Sequence, residues 1–280
     1  MAYFSGTIYS SVLNLDTALH VILPTDSRPH LQGGCSLKNG ITPRERPRTL
    51  ILLHGYSDCA STWVRRTSIE RYAEQYDIAV VMPEVYKSAY ADMKYGDNYF
   101  TYIVDELPTL CEKLFQVSTA PEDLYIAGLS MGGFGTLKAV LTYPERFAAA
   151  GAFSPGVDFF GGHPFLPLEE MTPEMRAIAT QTTGGKDMNT ILKAAYGDPM
   201  EHLVSDDLWY LSDHLGERAK DVTLYHCCGK QDFLYPGNLD LKKQLEQSNL
   251  GSYTYEEWDG IHEWGFWDVA VQKFLDRYVK

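Results

Sequence analysis

The sequence predicts an α/β fold, with a mostly parallel sheet of eight strands covered by helices on both faces. Two observations lead there. Short continuous apolar runs, such as Leu50-Ile51-Leu52-Leu53 and Ile78-Ala79-Val80-Val81, have the composition of strands buried on both faces. Segments of helical character alternate with them. The chain's 280 residues, 45% of them apolar, suffice to bury one full core as a single domain over 1–280.

The elements follow in order. Residues 3–13 and 18–23 alternate apolar and polar positions and predict an antiparallel hairpin. Residues 24–48 mix Pro, Gly, Lys and Arg and predict a long exposed loop. Residues 49–53 predict a strand, 62–76 a helix and 78–83 a second buried strand. Residues 101–116 predict a helix with Ile103, Leu107, Leu110 and Leu114 inward. A strand at 124–127, a helix at 133–141 ended by Pro144, and a strand at 147–153 come next. Residues 156–220 hold no strong strand and no simple period, which predicts a helical, cap-like insertion. Strands at 222–229 and 252–258, with helices at 236–248 and 264–279, close the chain.

Between the strand 124–127 and the helix after it stands Gly128-Leu129-Ser130-Met131-Gly132. A serine at the apex of a strand–turn–helix junction, with glycine on either side, is the pattern of a nucleophile elbow. The same serine could merely cap the helix. As a nucleophile it needs a base, for which histidine is the usual residue, and a carboxylate to hold that base's tautomer. The chain order for such an elbow is serine, acid, histidine, each at a strand end. Of eight histidines, His262 follows the last strand and precedes the final helix, as the base should. His54 precedes the serine and is expected to shape a loop, and His226 to pack inside a strand. Asp232, just after strand 222–229, is the expected acid, with Asp259 as its rival. The oxyanion hole calls for two backbone N–H groups, expected from Met131 and from Tyr56 in His54-Gly55-Tyr56.

With those residues in place, the chain resembles the esterase D-like branch of the α/β-hydrolases and, within it, bacterial tributyrin esterases. Leu52-Leu53-His54-Gly55, Trp63 with Arg66-Thr67, and Tyr95-Gly96-Asp97-Asn98-Tyr99 resemble segments of that family. So do Ile126 to Gly133, Gly229-Lys230-Gln231-Asp232-Phe233-Leu234-Tyr235, and His262-Glu263-Trp264. The resemblance implies an α/β-hydrolase fold and a Ser130–His262–Asp232 triad. It implies hydrolysis of small acyl esters, acetyl to butyryl, with no metal or organic cofactor. Relatives cleave acetylated sugars, feruloyl esters or S-formylglutathione, and some transfer the acyl group to other acceptors. Homo-oligomers are common among them. A non-catalytic binding protein on the same scaffold is the reading from a different class.

Gly55, Tyr99 and Trp264 are expected to contact substrate. The tyrosine-rich stretch Tyr86, Tyr90, Tyr95, Tyr99, Tyr102 could stack on a sugar or phenol, or could simply pack. Composition excludes other classes. The net charge of −13 argues against nucleic acid and anionic membrane as partners. No apolar run reaches membrane-spanning length. The five cysteines are odd in number, and Cys227 and Cys228 are adjacent, which fits a reducing cytoplasm. No metal-ligand spacing is evident.

Overall fold

Eight strands form one sheet in the order β1-β2-β4-β3-β5-β6-β7-β8. They are β1 (Ala2–Ser10), β2 (Leu15–Leu23), β3 (Arg48–Leu53), β4 (Ile78–Pro83), β5 (Leu124–Leu129), β6 (Ala149–Phe153), β7 (Thr223–Gly229) and β8 (Ser252–Trp258). The computed structural model describes residues 1–25, 37–38, 40–157, 172–173, 176–177, 180, 184–185, 188–198, 201 and 203–279. β1 and β2 form the predicted antiparallel hairpin, and β2 runs antiparallel to β4. From β4 through β8 every pairing is parallel.

Strand composition explains the layers. β3, β4 and β5 are buried along almost their whole length, so successive residues feed opposite cores. Leu50 and Leu52 pack on one side with Trp63, Ile69, Trp267 and Phe274. Those residues lie on α1 (Thr62–Arg66), α2 (Ile69–Tyr76) and α9 (Trp264–Tyr278). Ile51 and Leu53 pack on the other side with Leu107, Leu137 and Leu241. Those lie on α4 (Leu107–Phe115), α5 (Met131–Thr142) and α8 (Tyr235–Gln247).

Two predicted helices differ from expectation. The helix at 62–76 is broken at Thr67-Ser68, where Ser68 N–H and the Tyr72 hydroxyl both donate to Asp268 of α9. The helix at 101–116 is a composite of α3 (Tyr99–Thr101), a π-helical turn at Tyr102–Glu106, and α4. Pro108 has no N–H to give the carbonyl four residues back. That carbonyl, on Val104, accepts instead from Arg146 Nη1 at 2.8 Å. The wide turn rotates the inward face, so Tyr102, Ile103, Val104, Leu107 and Cys111 are buried while Leu114 is 54% exposed.

Much of the predicted loop 24–48 and of the cap-like stretch 156–220 lies outside the described residues. The described part of the latter contains α6 (Met188–Tyr196) and α7 (Leu208–Asp213). Leu192, Ala195 and Tyr196 of α6 pack on Ala89 and Ala91. A buried ion pair, Lys138 Nζ to Asp206 Oδ1 at 2.7 Å, ties this part to α5, and the Tyr196 hydroxyl donates to Asp206.

The chain passes from β3 outward to β4, then returns to place β5 on the other side of β3. The strand order therefore reverses between β3 and β5, and the crevice beyond the carboxyl ends of those two strands is where an open α/β sheet binds ligands. Among the described residues, no helix is long and apolar enough to cross a membrane.

Candidate active site

Ser130 follows β5 at that crevice. Its backbone is left-handed, with φ 53° and ψ −116°, and it opens α5. A left-handed serine is strained and persists only where the surroundings hold it. Ser130 N–H donates to Phe153 O of β6, while its own carbonyl accepts from Phe134 and Gly156. The flanking glycines are there for space. A Cβ on Gly128 would lie 2.5 Å from Gly132 O, and one on Gly132 would lie 2.5 Å from Leu53 O.

His262 reaches the serine from the loop after β8. Its Nε2 lies 3.0 Å from Ser130 Oγ, and its Nδ1 lies 2.8 Å from Asp232 Oδ2. A carboxylate only accepts, so Nδ1 carries the proton and Nε2 is left to accept from the serine hydroxyl. Exposure falls along the chain of three: Ser130 8%, His262 7%, Asp232 1%. The acid is sealed, while the serine keeps a window onto the crevice. Phe233 and Trp267 flank the His262 ring at centroid distances of 4.7 and 4.8 Å, the second edge-on.

The Asp232 turn is tied from both sides. Asp232 Oδ1 accepts from Leu234 N–H, and Gln231 N–H donates to Gly260 O, with Gly260 N–H returning to Gln231 Oε1. Asp259, the rival acid, is exposed, and its Oδ1 accepts from Gln231 Nε2. Behind the turn, Asn238 donates to Leu234 O and Pro155 O and accepts from His226 Nε2 at 2.7 Å. His226 is fully buried, as the sequence suggested. Burial, against the Asn238 hydrogen bond, pulls its pKa down to about 4.

The loop after β3 supplies the opposite wall. Gly55 N–H is taken by Asp58 Oδ2 at 3.2 Å. The Tyr56 N–H makes no hydrogen bond among the described residues. Met131 is the first residue of α5, so its N–H has no acceptor within the helix. The loop's posture comes from His54, which is buried: its Nδ1 donates to Gly55 O at 2.8 Å. Its Nε2 meets Val85 N–H at 3.2 Å and Glu84 Oε1 at 3.1 Å. Burial pushes the Glu84 carboxyl up, but His54 and the N–H groups of Ala60 and Tyr86 outweigh it and hold it down at about 2. The Tyr90 hydroxyl donates to His54 O at 2.9 Å.

A cleft of about 510 Å³ opens between these walls, lined among others by Gly55, Tyr56, Asp58, Ser130, His262, Glu263 and Trp264. Of the residues expected to contact substrate, Gly55 and Trp264 line it. Tyr99 does not: it is buried, edge-on to Tyr86 with centroids 6.4 Å apart. Asp58 and Glu84 belong to the site's surroundings without having been singled out from sequence, and Tyr90, named in the tyrosine-rich stretch, is buried with its hydroxyl on His54 O. Glu84 directly follows β4, and that strand-end position was the available signal. Among the described residues, no group of three or more His, Cys, Asp or Glu side chains could hold a metal ion.

The sheet order and the elbow define the α/β-hydrolase fold. A model of the Esterase family, described as "Putative esterase", matches residues 10–277, and the chain belongs to that family. It is a carboxylic ester hydrolase. An acetyl esterase of Caldicellulosiruptor saccharolyticus is 27% identical over 274 residues, covering 97% of this chain and 96% of that one. The fluorophosphonate-binding serine hydrolase F of Staphylococcus aureus, solved with substrate bound, is 33% identical, with a TM-score of 0.78 over 100% of this chain and 98% of that one. An S-formylglutathione hydrolase from Staphylococcus aureus is 33% identical, with a TM-score of 0.76 over 100% and 99%.

Proposed function

We propose that the protein hydrolyses short-chain acyl esters, acetyl to butyryl, through an acyl-enzyme on Ser130. The observation that carries this reading is the unbroken hydrogen-bonded series from Ser130 through His262 to Asp232, opening on one cleft. A hydroxyl is a weak nucleophile until a base takes its proton as it attacks, and His262 Nε2 is within reach to do so. Asp232 holds the tautomer and stabilises the imidazolium that forms. The tetrahedral oxyanion sits between the N–H groups of Tyr56 and Met131, each worth about 10²–10³ in rate. His262 then protonates the departing alcohol, and water activated by the same histidine releases the acid. The full-length likeness to an acetyl esterase supports the short acyl range.

The test is a series of p-nitrophenyl esters from acetate to octanoate, with wild type and Ser130→Ala. The reading expects kcat/KM to peak at acetate to butyrate and to vanish in the variant. Turnover that survives in Ser130→Ala, or a maximum at octanoate, would refute it.

A further inference from the structure

Among the described residues lining the cleft are two carboxyl groups, Asp58 on the β3 side and Glu263 beside the histidine, and no lysine or arginine. Among the described residues neither carboxyl has an ion-pair partner. Lys87 Nζ sits 4.7 Å over the ring of Tyr56, itself a lining residue, and Arg66 acts on Asp58 more weakly than His54 and His262 do. We propose that Asp58 and Glu263 make the cleft selective by charge. It takes neutral or cationic esters and discriminates against substrates whose alcohol or thiol portion is anionic. This rests on the proposed ester-hydrolase reading and names the substrate class that the same site accepts.

The argument is one of differences. The oxyanion formed at the reacting carbonyl is common to every ester, so its interaction with the two carboxylates cancels between substrates. What differs is charge carried elsewhere on the molecule. Among the described lining residues, a further negative charge in this cleft meets two carboxylates and no lysine or arginine, inside a molecule of net charge −13. At separations of several ångströms near a protein surface, like charges of this kind cost enough to change a rate about tenfold. Such repulsion is how a site rejects a competitor it fits sterically. The consequence is specific. Glutathione thioesters carry a net negative charge at neutral pH, so the likeness to an S-formylglutathione hydrolase does not extend to the preferred substrate.

Asp58 also holds Gly55 N–H, so the substitution must keep an acceptor. Asp58→Asn does, and Glu263→Gln changes only an exposed charge. The experiment compares 4-acetoxybenzamide with 4-acetoxybenzoate at pH 8 and low salt, two acetyl esters of similar shape that differ by one charge. S-formylglutathione is run alongside. Wild type is expected to favour the neutral ester about tenfold in kcat/KM. The double variant Asp58→Asn/Glu263→Gln is expected to bring the ratio to within about twofold, and 0.5 M salt to shrink it in wild type. Equal rates in wild type, a ratio unchanged in the double variant, or S-formylglutathione as the best substrate would overturn the inference while leaving the ester-hydrolase reading intact. Absence of any Ser130-dependent turnover on the neutral ester would overturn both.

Discussion

Among the described residues, two buried histidine–carboxylate pairs stand at the carboxyl ends of this sheet, and one of them faces Ser130, the proposed nucleophile. His262 and Asp232 meet at 2.8 Å, and His54 and Glu84 at 3.1 Å. Their composition is the same. What differs is where the second ring nitrogen points. His262 keeps Nε2 for Ser130 Oγ. His54 has both nitrogens committed: Nδ1 donates to Gly55 O and Nε2 accepts from Val85 N–H, with Glu84 Oε1 3.1 Å away. On the proposed function the first pair moves a proton while the second holds a loop, so residue type alone does not identify a base.

The largest expected effect lies at the first pair. Ser130→Ala or His262→Ala should lower kcat by about 10⁵–10⁶ with an unchanged circular dichroism spectrum, since groups that act as a unit are each nearly indispensable. Asp232→Asn should cost about 10³–10⁴ in kcat, because the asparagine favours the wrong tautomer of His262. At the second pair, Glu84→Gln should cost only about tenfold in kcat, as the loop loosens without losing a proton-transfer group. A loss of 10⁴ or more there would erase the distinction between the pairs.

The Glu84 carboxyl also makes stability depend on pH. Folding holds Glu84 at about 2, below its ordinary 4.5. Its contribution is therefore present above pH ~4.5 and is lost as the pH falls through ~2. Glu84→Gln should lower the unfolding free energy at pH 7 by about 2 kcal/mol, and urea titrations should show that deficit shrinking between pH 4.5 and 2.5. A deficit constant across that window would mean that folding does not hold the Glu84 carboxyl below its ordinary range. His226, pulled down to about 4, adds a separate acid sensitivity that begins nearer pH 6.5 in both proteins and cancels in the comparison. The smallest effect is expected from Tyr90→Phe, which removes one hydrogen bond to His54 O. It should cost about 1 kcal/mol of stability and a few-fold in kcat, with KM unchanged.

The contrast also explains what could be read from sequence. Strand ends are legible from apolar runs, so Ser130, Asp232 and His262 could be placed at one edge of a sheet before any coordinates. His54 could be assigned to a loop because it precedes the elbow. Its partners were harder to find, Glu84 being marked only by its place directly after β4. Glu84 and Tyr90 lie 30 and 36 residues further on, and nothing local says which residues β4 and the turn after it bring back to β3. Tyr99 lies away from the described cleft lining for a related reason: an aromatic near a site is as useful to packing as to binding, and Tyr99 is buried beside the π-helical turn. The same turn, set by Pro108, displaced the predicted inward row from Leu110 and Leu114.

The central claim is that Ser130 is the nucleophile and His262 its base. It is tested most directly by mass-mapping the adduct after treatment with a fluorophosphonate. The account predicts one adduct, on the peptide carrying Ser130, absent in Ser130→Ala and formed at least a hundredfold more slowly in His262→Ala. An adduct on another residue, or labelling of His262→Ala at the wild-type rate, would contradict it.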